Sequence, residues 1–415
     1  MSVNSSELAL NGGPKAVTLD STEANKWPII TKEDEEAVLD VLRSGELSIH
    51  PVTNALEEDY KNYFGRKFAL AHCNGTSALL AAFFAAQFQP GDEVLVPSAT
   101  WWASAVPALW VGAIPVFCES EPERCGLDPN DVLKKITPKT KAMVVVHLWG
   151  MPSKMTELLQ IAKDHNLLVI EDASHAHGAV WRNKKCGAIG DMSIFSLQSH
   201  KLAPAGEGGI FMTDREDLFE KAILLGDVNR IYALNTASRR FAGTSFGIKT
   251  RMAPLSAAVG RSQLKRLEER NAKRRKNLEF LSHHLEALGF HTFLPPSHIT
   301  RVYFEFLIRP KPSLKIEDRD LFIKALQAEG CDVSLPRYPL VHQQPLFTEG
   351  EYEKISRSKS FSNKTYGVND LPITEQFNKE LIKLPSFPQA EEPLLIQYVE
   401  AFTKVIRHWD KLSIK

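Results

Sequence analysis

Four separated segments of this 415-residue chain place reactive or ligand-holding residues where strands should end. Asn74-Gly75-Thr76-Ser77 opens an apolar run, Ala78–Phe88. A glycine there lets backbone approach a ligand, and the free N–H groups of a helix start, with two hydroxyls, suit a phosphate. The plain alternative is an ordinary N-cap. Thr100-Trp101-Trp102 follows the short apolar run Val94–Val96. An indole at such a point can stack on a flat heteroaromatic ring, and core packing is expected for one of the two. Glu171-Asp172 ends the run LLVI, where a buried carboxylate needs a partner and a protonated ring nitrogen would serve. Phe195-Ser196-Leu197-Gln198-Ser199-His200-Lys201 leads into Gly206-Glu207-Gly208-Gly209. Its glycines imply a tight turn bringing backbone close to something. A lysine held in such a pocket has a lowered pKa and forms imines with carbonyls, although a lone lysine is ordinarily a solvated charge.

Taken together, these groups meet the demands of pyridoxal 5′-phosphate: a Schiff-base lysine, an acid at the pyridinium nitrogen, a phosphate cradle and a stacking ring. Neither a GxGxxG nor a GxxxxGK[ST] pattern is present, so no motif points to a dinucleotide or nucleoside triphosphate. His147, His175, His177 and His200 form no ligand set with thiolates or carboxylates at recognisable spacing, and no metal is expected.

The elements that must position these residues alternate. Thr31 and Asp34 resemble a capping box before an apolar face of Ala37, Val38, Val41 and Leu42, ending at Gly45. Asp128-Pro129 reads as an N-cap with proline at the first helical position. Ala142–Leu148 and Leu167–Ile170 read as fully buried strands around a helix through Leu158 and Ile161. Continuous apolar strands spaced by helices predict a mostly parallel sheet covered on both faces. Such α/β sheets bind ligands beyond the carboxyl ends of their strands. Leu264–Leu288 reads as one long helix. After it the pattern becomes α+β: a strand alternating over Val302–Ile308, a helix over Asp318–Glu329 stopped by Gly330, and a C-terminal helix over Pro393–Trp409. The expected division is an N-terminal segment (1–26), a large domain (27–270) and a smaller C-terminal domain (271–415).

Fifty basic residues balance fifty acidic ones, so no global field draws the chain to nucleic acid or membrane. Arg266–Lys276 holds six basic residues, and a solvated helix face is the expectation for them. Five cysteines without a CxxC pair fit a reducing cytoplasm rather than a disulfide scaffold. The N-terminus reads as no signal peptide. Val94–Cys118 lacks charge, but Pro97, Pro107, Gly112 and Pro115 divide it into strand, helix and strand rather than a membrane span.

The segments NGTSAL, GDEVLVPSATWWAS, TPKTKAMVVVHLWG, VIEDASHAHGA, GDMSIFSLQSHK and GEGGIFMTD, in that order, resemble the DegT/DnrJ/StrS sugar aminotransferase family. The resemblance is strong from Trp27 to Leu267 and looser through RYPLVHQQPLF. It implies fold type I, a homodimer and transfer of an amino group from glutamate or glutamine to a keto-sugar or keto-cyclitol. It further implies that Lys201 carries the cofactor and Asp172 pairs with its ring nitrogen. Trp101 would stack on the ring, and Gly75, Thr76, Ser77 and Ser196 would hold the phosphate. His175, where the family commonly has Gln, is similar to the branch aminating 2-deoxy-scyllo-inosose. The family's GxNxRM segment, which reaches the neighbouring subunit's phosphate, here reads Gly247–Met252 with Lys249 in place of the amide. Some related dehydratases carry His at the lysine position; Lys201 in that register favours transamination. Arg337, Tyr338 and His342 line either an acceptor pocket or a structural turn. The alternatives are a 3-amino-5-hydroxybenzoate synthase-like enzyme and a non-catalytic regulatory copy of the fold.

Overall fold

The runs expected to be strands do pair, and they do so in an order that gathers their ends. A computed structural model describes residues 7–356 and 365–412; the outermost residues of the 1–26 segment and of the C-terminal domain lie outside that range. Thirteen strands occur among the described residues: β1 (Phe68–His72), β2 (Glu93–Pro97), β3 (Ile114–Cys118), β4 (Thr140–Val146), β5 (Leu168–Asp172), β6 (Val180–Trp181), β7 (Lys184–Lys185), β8 (Met192–Ser196), β9 (Gly209–Thr213), β10 (Phe290–His291), β11 (Ile299–Thr300), β12 (Phe306–Pro310) and β13 (Ile382–Leu384). Seven form the central sheet in the order β1-β9-β8-β5-β4-β2-β3. Only β9 runs against the rest, pairing antiparallel with both β1 and β8. The four pairings from β8 across to β3 are parallel. Both faces of this sheet are covered, as its unbroken apolar strands require. Val144, Val145, Ile170, Ile194 and Phe211 are fully buried in it.

The crossover between β1 and β2 is the helix Gly75–Ala86, whose side chains pack on β8 and β9. Asn74 caps it, its Oδ1 accepting from Ser77 N at 2.8 Å. Thr31 N donates to Asp34 Oδ2 at 2.8 Å in the expected capping box. Leu42, expected on the buried face of that helix, is instead 52% exposed. Asp128 caps the helix Pro129–Lys135 by accepting from Asn130 N.

Several boundaries differ from the sequence reading. β4 ends at Val146 because Trp149 adopts a positive φ of 52° in a tight turn, which removes Leu148 from the strand. The long helix is broken at Arg266 into Pro254–Lys265 and Leu267–Ala287. β12 begins only at Phe306, and Val302, Tyr303, Phe304 and Glu305 before it are all buried rather than alternating. No helix among the described residues is long and apolar enough to cross a membrane.

A second core lies beyond the sheet. β10, β12 and β13 form an antiparallel sheet whose Phe290, Phe306 and Ile382 pack with Leu278, Phe322, Tyr398 and Phe402. Leu8, Ala16 and Val17 of the N-terminal segment join this core. Glu329, fully buried, anchors them by accepting from Ala9 N and Ala16 N. Residues 340–355 and 366–381 return to the first core, where Val341, Phe347 and Phe377 are buried.

The basic stretch after Arg266 is not one solvated face. Arg266 pairs with Asp34 at 2.7 Å, Arg270 donates to Ile29 O at 2.9 Å, and Arg274 is buried over Trp27. These three recur every fourth residue and so share one helix face, turned onto the chain's N-terminal part.

Candidate active site

Because β2, β4, β5 and β8 are parallel, their carboxyl ends open on the same side, and the residues after them surround one cavity of roughly 370 Å³. Asn74, Gly75 and Thr76 form one wall, Asp172 and Ser174 another, and Ser196 and Lys201 a third. Trp101, Trp102, His175, Phe304, Arg337 and Tyr338 complete it.

Each wall has a local cause. Ser196 ends β8, and Leu197 N to Gly208 O (2.8 Å) and Ala205 N to Leu197 O (2.7 Å) close the loop that carries Lys201 back toward β9. Gly206 sits at φ 79° in that loop, a conformation that side chains resist. Gly209 is needed for a different reason: a Cβ there would meet the Asn74 carbonyl oxygen at 2.3 Å. The close backbone approach foreseen for this glycine-rich turn is therefore to the Asn74–Gly75 loop of the same chain. Gly75 in turn lies against Ser196, whose Cβ would be 2.7 Å from an added Cβ. The two segments interlock.

Lys201 is buried, its Nζ 4.4 Å from the Phe304 ring centroid. Burial lowers its pKa to about 8 against the opposing pull of Asp172 and Glu305. The Trp27 indole donates to the Lys201 carbonyl at 3.1 Å. Asp172 is held on both oxygens: Ser104 Oγ donates to Oδ2 at 2.7 Å, and Ser174 N to Oδ1 at 3.2 Å. Thr100 and Ser104 hydroxyls are 2.9 Å apart, extending the chain of hydrogen bonds. Ser104 went unnoticed in the sequence; its place four residues after Thr100, in a strand-end turn, was the available signal.

His175 lies flat against Phe304, centroids 4.1 Å apart and planes 14° apart. Trp149 N donates to its Nδ1 at 3.3 Å, and its Nε2 is 3.2 Å from the Tyr338 hydroxyl. Burial and then Lys201 hold its pKa well below the usual value, so the ring is neutral. Neutral with Nδ1 accepting, it presents Nε2–H to Tyr338.

The other expected positions divide. Trp101 and Trp102 both line the cavity and are 45% and 40% exposed, so neither is core packing. Ser77 does not line it; its hydroxyl lies 3.3 Å from Cys73 Sγ. Lys249 is exposed and outside the cavity of its own chain, although the next residue, Thr250, accepts from Cys73 N at 2.6 Å. Arg337 and Tyr338 line the cavity, whereas His342 is buried between Ser98 and Glu375. Glu171 is buried on the far side of β5, accepting from His147 and from the N–H groups of Gly187, Ile189 and Gly190. Among the described residues no group of three or more His, Cys, Asp or Glu side chains is arranged to hold a metal.

A family model described as the DegT/DnrJ/EryC1/StrS aminotransferase family matches residues 28–402. The chain belongs to that family. GDP-perosamine synthase of Caulobacter vibrioides is 34% identical over 352 residues, covering 84% of this chain and 89% of that one. L-glutamine:2-deoxy-scyllo-inosose aminotransferase of Streptomyces kanamyceticus is 31% identical over 433 residues, covering 98% and 99%. The crystal structure of 3-amino-5-hydroxybenzoic acid synthase superposes with a TM-score of 0.79 at 26% identity, covering 95% of this chain and all of that one. As a member of the DegT/DnrJ/EryC1/StrS family the chain is a pyridoxal-phosphate-dependent aminotransferase of fold type I. The residues present fit that cofactor. A helix N-terminus with a glycine no Cβ can replace, a serine against it, a carboxylate held by two donors, and a buried amine of lowered pKa all face one cavity.

Proposed function

We propose that this enzyme moves the amino group of glutamine or glutamate onto the ketone of a keto-sugar or keto-cyclitol, with Lys201 and Asp172 as its catalytic residues. The observation that carries the reading is Lys201 in one cavity with Asp172 and the Gly75–Thr76 helix start. Relatives named for glutamine donors and inosose acceptors support the substrate classes.

Pyridoxal phosphate, when bound, supplies a carbonyl that condenses with amines and a ring that withdraws electrons from the carbon bearing the nitrogen. The chain's own groups then have distinct tasks. Gly75 and Thr76 N–H groups and the Ser196 hydroxyl hold the phosphate, where the helix dipole favours negative charge. Asp172, fixed by Ser104 and Ser174, holds a proton on the ring nitrogen. Trp101 and His175 bound the ring. The Lys201 amine holds the cofactor at rest. The same amine, when free, would be the group that takes the proton from the donor's Cα and later gives it up again. Its pKa of about 8, lowered by burial, gives it a larger share of free base near neutral pH than a solvated lysine has.

The further expectation is a homodimer in which Lys249 reaches the partner's phosphate. Its support is the exposure of Phe246, Ile248 and Lys249 together, and of Leu47 and Ile49 beside the groove that contains Arg251. A division near 270 has partial support: Phe290, Phe306, Phe322 and Phe402 form a core of their own, while Val341, Phe347 and Phe377 pack with the sheet and Leu8, Ala16 and Val17 with the smaller core. Five free cysteines support a reducing, cytoplasmic setting.

The test is amine-product mass spectrometry with a panel of keto-sugars, keto-cyclitols and the ring ketone precursor of 3-amino-5-hydroxybenzoate. Amination of a sugar or cyclitol ketone is expected, and activity on the last substrate alone would overturn the acceptor assignment. Lys201→Ala should abolish turnover and the visible absorbance of the lysine-bound cofactor; retained activity would overturn the catalytic one.

A further inference from the structure

Tyr338 ends a chain of hydrogen bonds whose direction is fixed at its other end. The Trp149 N–H can only donate, so at 3.3 Å it makes His175 Nδ1 an acceptor. The ring is neutral, so its one proton is on Nε2, which lies 3.2 Å from the Tyr338 hydroxyl. The Tyr338 oxygen is therefore the acceptor in that bond, and its own proton has to be donated elsewhere. Among the described residues no second group bonds this hydroxyl, and Tyr338 lines the cavity that holds Lys201. Burial, and then the charge of Glu305, raise its pKa above the usual tyrosine value, so the oxygen keeps its proton.

The hydroxyl is also held in place. Pro336 and Pro339 flank Arg337-Tyr338 and restrict the backbone on either side. Just beyond, Val341 N donates to Ser98 O at 3.1 Å, and the Ser98 hydroxyl is 2.6 Å from His342 Nδ1, which pins the segment to the end of β2. The Tyr338 ring is within 8° of parallel to His175, and its centroid is 5.6 Å from that of Trp101. His175 stacks in turn on Phe304, which the Lys201 amine also approaches. Asp172 and Glu305 act on Lys201 and Tyr338 alike, so amine and hydroxyl stand within reach of the same two carboxylates.

We propose that Tyr338 is a further catalytic residue, whose hydroxyl donates a hydrogen bond to the oxygen of the acceptor's ketone. The inference rests on the aminotransferase reading above. A ketone oxygen is neutral, with two lone pairs and no proton, so an oriented neutral donor suits it. Negative charge grows on that oxygen as an amine adds to its carbon, and a donor already aimed there gains strength as the charge develops. The carboxylate of an amino-acid donor is an anion, for which the Arg337 guanidinium in the same wall is the better partner. Trp101 and Trp102 offer apolar faces against which the carbon ring bearing the ketone can lie.

The experiment times the two half-reactions of the holoenzyme separately, by the cofactor spectrum in single turnover. The pyridoxal form is mixed with glutamine or glutamate, and the pyridoxamine form with the ketone selected from the substrate panel. Tyr338→Phe keeps the ring and removes the hydroxyl. Rate over Kd for the ketone should fall at least about tenfold, while the donor step changes less than about twofold and the absorbance maximum of the lysine-bound cofactor stays put. An unchanged ketone step overturns the proposal. An equal fall in both steps, or a moved absorbance, overturns it by placing the hydroxyl on the cofactor; a fall in the donor step alone does so by placing it on the donor. Wild type gives an independent reading, which serves if the variant does not fold. The alcohol made by borohydride reduction of the ketone should bind at least about fivefold tighter than the same ring deoxygenated at that carbon, and Tyr338→Phe should erase the difference. Equal binding to wild type overturns the proposal. A pyridoxamine form that reacts with no ketone of the panel brings down the aminotransferase reading and this proposal together, whereas a ketone step indifferent to Tyr338→Phe sinks this proposal alone.

Discussion

Replacing Lys201 with Met should make the cofactor-free protein more stable while abolishing turnover. Lys201 is buried and its pKa falls from 10.5 to about 8 on folding, the largest cause being loss of water around the ammonium. The unfolded chain therefore binds its proton more tightly than the native one. For a base depressed in this way the cost to stability is present in full below the folded pKa and is relieved as pH rises from about 8 toward 10.5. The drop from 10.5 to about 8, at 1.36 kcal/mol per tenfold change in proton affinity, amounts to roughly 3.4 kcal/mol. Loss of the cation–π contact with Phe304 offsets roughly 0.5–2 kcal/mol of that gain. A net increase of about 1.5–3 kcal/mol is expected at pH 7. The assay is urea unfolding of both cofactor-free proteins at pH 7 and at about pH 9.5, where the gap should shrink. A variant no more stable than wild type at pH 7, or a gap that widens with pH, would refute the view that burial of the amine is what tunes it.

Three further outcomes are expected. Gly209→Ala forces a Cβ onto the Asn74 carbonyl, so the phosphate loop must shift; cofactor Kd should rise at least about tenfold, with about 1–3 kcal/mol lost in unfolding experiments. Ser104→Ala removes a charge-directed hydrogen bond to Asp172 worth about 1.5–3 kcal/mol, so kcat should drop roughly ten- to hundredfold while the melting temperature changes little by comparison. Lys249→Ala should leave the isolated chain folded, because the side chain is exposed, yet weaken cofactor binding in equilibrium titration; unchanged affinity would remove the proposed contact across the dimer.

Some of the molecule was legible because its physics is local. Asn74 and Asp128 were readable as caps, because a short acceptor satisfies free N–H groups within three residues of itself. The apolar runs of β4 and β5 read as buried strands, because a strand covered on both faces has no polar period to show. Lys201, Asp172 and the Gly75 loop were suggested by residue type at strand ends, and their order in the chain pointed to the family. What resisted was whatever depends on partners distant in sequence. Glu171 and Asp172 are adjacent and alike in type, yet opposite faces of β5 make one a structural anchor and the other a cavity group. Phe304 sits in a stretch that reads as an alternating strand, and only tertiary packing brings it against His175 and Lys201. The basic run after Arg266 is indistinguishable from a solvated face until Trp27 and Ile29 fold over it. Residue identity and spacing by themselves determined the chemistry available to this protein. Which carboxylate faces the reacting amine was decided by the face of β5 it occupies, and which ring and arginine by the packing of loops from the C-terminal part against the strand ends, because these contacts join residues far apart in sequence.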